Sequence, residues 1–143
     1  CKIGVESTII NLLNKPTVLR YGGIDIEKIK KTLKKNILTQ TNTKKKIAPG
    51  QFYLHYSPGI PLRMNAKKPR LNEAFVLIKK RKVTLKNFYY LSKNNDLKQS
   101  AKNLYSLLRK IKKDGYKMVA IEKIKNNGIG KTINDRLNRA SKY

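Results

Sequence analysis

Tryptophan is absent from this 143-residue chain, cysteine and histidine occur once each, and only eight residues are acidic against 34 that are basic. One cysteine excludes an internal disulfide framework, and a single histidine leaves too few ligands for a zinc centre built within the chain. No apolar run approaches the roughly 20 residues that a membrane-spanning helix needs, and no secretory leader pattern opens the chain, so a soluble cytoplasmic protein with no membrane partner is expected. No Ser/His/Asp or Cys/His arrangement can be assembled, and no carboxylate pair stands out. Any chemistry is therefore expected to rest on binding and positioning rather than on covalent catalysis.

What the sequence has in excess is positive charge, with a formal net charge of +26 and a pI near 10.3. Lysines that neutralise phosphates release counterions, so such a balance raises nucleic acid as a partner. Of the basic residues, 27 are Lys and 7 are Arg, and the lysines are spread along the whole chain. Lys, Asn and Ile are abundant together, as an AT-biased genome produces. Arg, whose planar fork reads phosphates and bases, is scarce. Charge alone does not assign the function.

Three stretches differ in character. Residues 5–13 are β-rich and end at the turn Asn14-Lys15-Pro16; Thr17–Arg20 reads as the returning strand, broken by Gly22-Gly23. Asp25 is placed to cap a helix carrying Ile26, Ile29 and Leu33 on one face, fading at Asn36. These residues hold too little apolar material to fold alone and read as the tail of a larger domain. Residues 39–60 lack periodicity but contain Pro49, Phe52, Tyr53, the only histidine (His55), Tyr56 and Pro58, an ordered, irregular connector expected to pack against something. From residue 61 the order β-β-β-α-β-α is expected: strands at 61–64, 74–78, 88–91 and 118–121, a long helix capped by Asn95 or Asp96, and a last helix bearing Ile133, Leu137 and Ala140 inward. The fold class is α/β, a small Rossmann-like C-terminal domain with the 118–121 strand parallel to its neighbours.

Gly128-Ile129-Gly130-Lys131-Thr132 invites a phosphate-loop reading, but the pattern needs a glycine where Lys125 stands. A tight strand-to-helix turn accounts for these glycines. His55 and Tyr56 are donors for phosphate oxygens, bracketed by two prolines. Ser7 and Thr8 are ordinary strand residues by propensity. Arg20, at a strand end just before two glycines, can clamp a phosphate, and glycines let a ligand approach the backbone.

Three blocks carry a family resemblance. Gly4-Val5-Glu6-Ser7-Thr8-Ile9-Ile10 with Pro16-Thr17-Val18-Leu19-Arg20-Tyr21-Gly22-Gly23-Ile24 resembles the closing strands of the YrdC-like catalytic domain of threonylcarbamoyl-AMP synthases. Pro49-Gly50 through His55-Tyr56-Ser57-Pro58 resembles the linker of the long, two-domain form, and Gly128-Ile129-Gly130 through Ala140 resembles its closing helix. The resemblance implies three parts: residues 1–38, the C-terminal end of a truncated YrdC-like catalytic domain; 39–60, a linker that covers the active site; and 61–143, a C-terminal α/β domain. It implies a nucleotidyltransferase that condenses L-threonine, bicarbonate and ATP, the last with Mg2+, into threonylcarbamoyl-AMP and pyrophosphate. That product feeds the modification of adenosine 37 in tRNA, with the tRNA-modification machinery, and tRNA itself, as partners. Ser7 would help hold L-threonine, and Arg20, His55 and Tyr56 would contact ATP; no catalytic or metal-binding residue is implied within the chain. The linker departs from the family pattern at Phe52 and Leu54, where relatives carry Lys and Arg. The family's N-terminal Lys-x-Arg and Ser-x-Asn nucleotide elements have no counterpart, so the chain alone is expected to be inactive. A non-enzymatic basic module that captures RNA is the alternative reading.

Overall fold

The computed structural model describes residues 4–39, 48–49 and 57–141. A run of consecutive apolar residues, Ala-Phe-Val-Leu-Ile, dictates a strand covered on both faces, and it forms β5 (Ala74–Lys79) near the centre of a parallel sheet. Its partners are β4 (Leu62–Arg63), β6 (Phe88–Ser92) and β7 (Val119–Ile121), in the order β4-β7-β5-β6, every pair parallel. Alternate residues face opposite sides. Ala74, Val76, Leu91, Val119 and Ile121 meet two helices, α2 (Leu97–Lys113) and α3 (Ile129–Ala140), in the main core. Phe75, Leu77 and Ala120 pack with Ala66 on the other face, where the Phe75 and Phe88 rings meet edge to face at 5.6 Å.

The helices start where local chemistry provides for it. Asp96 caps α2 by accepting from the Lys98 amide at 2.7 Å, and its own amide donates to Ser92 Oγ. The stripe Ala101, Leu104, Leu108 and Ile111 is buried, as the spacing requires. At α3 no side chain caps the helix. Instead, Gly130 allows the turn to fold tightly, since a Cβ there would lie 2.0 Å from the Lys125 carbonyl. The strand-to-helix reading holds at Gly130 for that steric reason and at Gly128 for its positive φ of 48°.

The N-terminal residues form a second, smaller sheet. β1 (Ile9–Asn11) pairs antiparallel with β2 (Thr17–Arg20), which pairs parallel with β3 (Leu38–Thr39). The helix α1 (Ile26–Leu33) is capped by Asp25, and Ile26, Val18 and Ile37 form a core of three buried side chains. Each contributes roughly 1.5–3 kcal/mol. Ordering some 35 residues costs on the order of 1–2 kcal/mol apiece for the backbone alone, so this small core does not hold the sheet by itself.

Three expectations are corrected here. The strand expected over 5–13 is confined to Ile9–Asn11, because residues before it are held by other partners: Val5 joins the main core and the Glu6 carbonyl accepts from Gly23 N. α1 stops at Leu33, since Lys34 adopts a left-handed conformation at φ 47°. Leu38–Thr39, across the expected boundary between the first stretch and the connector, is a strand, and the Leu38 amide donates to the Pro16 carbonyl at 2.8 Å.

The scarcity of acid acquires meaning in this fold. Asp25 and Asp96 cap helices, and Glu6, Glu27, Glu73, Asp114, Glu122 and Asp135 each pair with Lys or Arg. Every one of the eight carboxylates has a structural task.

Candidate functional site

Ser7 and Arg20 lie 13 positions apart and are joined at the end of β2. Arg20 Nε donates to the Ser7 carbonyl at 3.1 Å, and Nη1 donates to the Pro49 carbonyl at 3.1 Å. Arg20 is 9% exposed, whereas Ser7 is exposed. The guanidinium thus ties the Ser7 segment to the first proline of the expected linker. Its Nη2 has no hydrogen bond among the described residues, which leaves a donor for an anion. Gly22 sits behind Ser7. A Cβ on Gly22 would lie 2.1 Å from Thr8 N and 2.2 Å from the Ser7 carbonyl carbon. The backbone that approaches this glycine is the chain's own, not a ligand, which corrects the simpler reading of that position.

The Ser7 segment is also gripped from α3. Arg136, fully buried, donates through Nε and Nη2 to Glu6 Oε2 at 3.2 and 2.8 Å, and through Nη2 to the Tyr21 carbonyl at 3.0 Å. Its Nη1 reaches Asp135 at 2.9 Å, and Asp135 is held in turn by Arg139 at 3.0 and 3.1 Å. Thr132 Oγ1 donates to the Gly22 carbonyl at 2.8 Å, and Lys131 pairs with Glu27 at 3.0 Å. Burial pushes the Tyr21 phenol above its usual value, against the pull of the Lys131 charge. Hydrogen bonds from Lys131 and Lys30 hold the Glu27 carboxyl below its own. Residues flanking both Ser7 and Arg20 are therefore fixed by one helix more than a hundred positions away.

Of the four residues singled out from sequence, the structure brings Ser7 and Arg20 together. His55 and Tyr56 lie outside the described residues, as do Phe52 and Leu54. The Glu6–Arg136 contact was missed. The signal was available: in a chain so short of carboxylates, an acidic residue beside Ser7 needs a partner. Among the described residues no group of three His, Cys, Asp or Glu side chains is placed to hold a metal ion, and no helix is long and apolar enough to cross a membrane.

The family described as "Threonylcarbamoyl-AMP synthase, C-terminal domain" matches residues 24–142. The threonylcarbamoyl-AMP synthase of Pyrococcus abyssi is 28% identical over 162 aligned positions, covering 99% of this chain and 47% of the relative. The crystal structure of P. abyssi Sua5 complexed with L-threonine superposes with a TM-score of 0.81 at 26% identity, again over 99% of this chain and 47% of that one. A P. abyssi Sua5 variant with an adjacent His–Tyr pair replaced by alanine shares the fold, with a TM-score of 0.78 at 23% identity over 99% and 46%. The chain spans a little under half the length of these relatives. With most of its length matched to that one description, the chain belongs to the threonylcarbamoyl-AMP synthase C-terminal domain family.

Proposed function

We propose that this chain works as part of an L-threonylcarbamoyladenylate synthase, a nucleotidyltransferase of the cytoplasm that joins L-threonine, bicarbonate and ATP and releases pyrophosphate. The observation that carries the reading is the Ser7–Arg20 junction: an exposed serine whose carbonyl is held by a buried guanidinium with Nη2 left over among the described residues. In this reading Ser7 hydrogen-bonds L-threonine. Arg20 addresses the ATP phosphates through Nη2, a charge-assisted contact worth more than a neutral one. Mg2+ arrives with the triphosphate as part of the substrate.

Residues 39–60 then act as the cover of the site. Arg20 already anchors that segment near its middle, at Pro49. The chain's one adjacent His–Tyr pair is His55–Tyr56, the pairing replaced in the substituted P. abyssi Sua5. Two neutral donors over the β- and γ-phosphates would supplement Arg20, and a closed cover would shelter a carbamate from water. The product serves tRNA adenosine-37 modification, so tRNA and the modification machinery are the partners. Residues 1–38 belong with the catalytic unit and 61–143 form the domain that braces it, a division supported by the small core of Val18, Ile26 and Ile37 beside the main one, which only Val5 of the first stretch joins.

A chimera tests this reading: the chain joined to the portion of the P. abyssi synthase that it does not cover. It should release pyrophosphate from ATP only with threonine and bicarbonate present. Arg20→Ala and His55→Ala should each raise the Michaelis constant for ATP about tenfold, one decade per 1.4 kcal/mol, with the threonine constant moving much less. A folded chimera that is inactive, or ATP constants unmoved by both substitutions, sinks the proposal.

A further inference from the structure

The parallel sheet has an unassigned crevice far along the chain from Ser7 and Arg20. In open parallel α/β sheets, ligands settle outside the carboxyl ends of the strands, where loops part. Here the ends of β5, β6 and β7 open onto a hollow of about 410 Å3 whose walls carry Lys79, Lys80, Arg81, Lys82 and the carboxylate Glu122. Glu122 is engaged: it accepts from the Ile78 amide and, at 2.9 Å, from Arg81 Nη2. Glu122 is taken up by Arg81 and the Ile78 amide, and the other seven carboxylates have tasks elsewhere, so among the described residues no acid pairs with Lys79, Lys80 or Lys82. Like charges gathered this closely repel one another, and an anion relieves that repulsion.

Lys80 also lines a neighbouring groove of about 570 Å3, which runs along the outer edge of β6. That volume lies within the usual range for small-molecule sites. Its walls combine Leu85, Phe88 and Tyr90 with the side-chain amides of Gln99 and Asn103. Asn103 donates to the Leu91 carbonyl and Gln99 accepts from the Lys93 amide. Among the described residues, the Asn103 oxygen and the Gln99 nitrogen remain available, and the Tyr90 hydroxyl, shielded from solvent, has no partner. Flat apolar walls with amide donors and acceptors suit a heterocyclic base; a cationic rim shared through Lys80 suits its phosphate.

We infer that this crevice seats a nucleotide, its phosphate among Lys79, Lys80 and Lys82 and its base in the β6 groove. The same chemistry is offered by a free nucleotide and by one unit of single-stranded RNA. The inference stands apart from the proposed synthase activity, because none of these residues touches Ser7 or Arg20.

Binding of ATP (calorimetry) and of a short fluorescein-labelled single-stranded RNA (anisotropy) to the 143-residue chain tests it. The triple variant Lys79→Gln/Lys80→Gln/Lys82→Gln is compared with Lys112→Gln/Lys113→Gln/Lys117→Gln, which removes equal charge from exposed sites at the far end of α2 and the turn after it. The crevice variant should weaken binding about tenfold or more and lower the RNA salt slope by about 2; the other should change affinity about twofold at most. Crevice-dependent binding of ATP identifies a free nucleotide, and crevice-dependent binding of RNA alone identifies a unit within a strand. On titration, the side-chain amide resonances of Gln99 and Asn103 should shift. Equal losses in both variants, binding of neither probe, or shifts that leave Gln99 and Asn103 unmoved would overturn the assignment.

Discussion

Replacing Arg136 by methionine should uncouple the Ser7 segment from the rest of the protein. The guanidinium is fully buried and donates to Glu6, Asp135 and the Tyr21 carbonyl. Methionine matches the stem and fills the space, so the loss is electrostatic rather than a cavity. Breaking a buried pair by removing one partner costs about 3–5 kcal/mol, because the other charge is left in a poor environment. Glu6, with a side chain 35% exposed, recovers some hydration, and Asp135 keeps Arg139, so the lower end of that range is expected. For a chain of this size about 3 kcal/mol corresponds to roughly a 10 °C fall in the midpoint of thermal unfolding. The decisive assay is a double-mutant cycle with Glu6→Gln, read by calorimetry or chemical denaturation. A coupling energy of about 1–3 kcal/mol is expected for residues in one network. Hydrogen exchange adds locality: amides of Thr8–Arg20 should lose protection while β5 and α2 keep theirs. Additive effects, within about 0.5 kcal/mol, would show that the pair does not fasten the two units.

Gly22→Ala should be among the most damaging single-methyl changes in the chain, costing about 2 kcal/mol or more, since the new Cβ meets backbone at Ser7 and Thr8 rather than a movable side chain. Unfolding titrations read the size; a change no larger than that of Ala→Gly at an exposed helix site would refute the close-approach argument. Acid should weaken the sheet through Glu73. Burial raises its carboxyl, but hydrogen bonds from Arg63 and from the Arg70 amide outweigh burial and hold it below its ordinary value of 4.5. The stabilisation is therefore complete above that value and is lost as pH falls through the lower folded one. Thermal midpoints should drop below about pH 4.5, and Glu73→Gln should be less stable near neutrality with a flatter acid limb. An unchanged limb would mean other carboxylates govern it.

How much of this was legible beforehand depended on the range of the interaction. β5 and α2 announce themselves because a continuous apolar run and a helical stripe are local patterns, and Asp96 lies immediately before the helix it caps. The parallel course of β7 followed from the helix preceding it. β3 was not legible, since two residues carry no period and only the open edge of β2 makes Leu38 a strand.

By itself, then, the sequence determined the α/β architecture, the helix starts, and the blocks that resemble one family, because each rests on residues within a dozen positions of one another. It also determined that acid is scarce. Tertiary structure alone decided where each carboxylate went, that the first block and the last grip one another through Glu6 and Arg136, and that the run Lys79-Lys80-Arg81-Lys82 lines a crevice beside Glu122. Charges attract, and backbones exclude one another, according to distance in space. Separations of 13 residues for Ser7 and Arg20, and 130 for Glu6 and Arg136, become about 3 Å only once the sheet and its helices are packed.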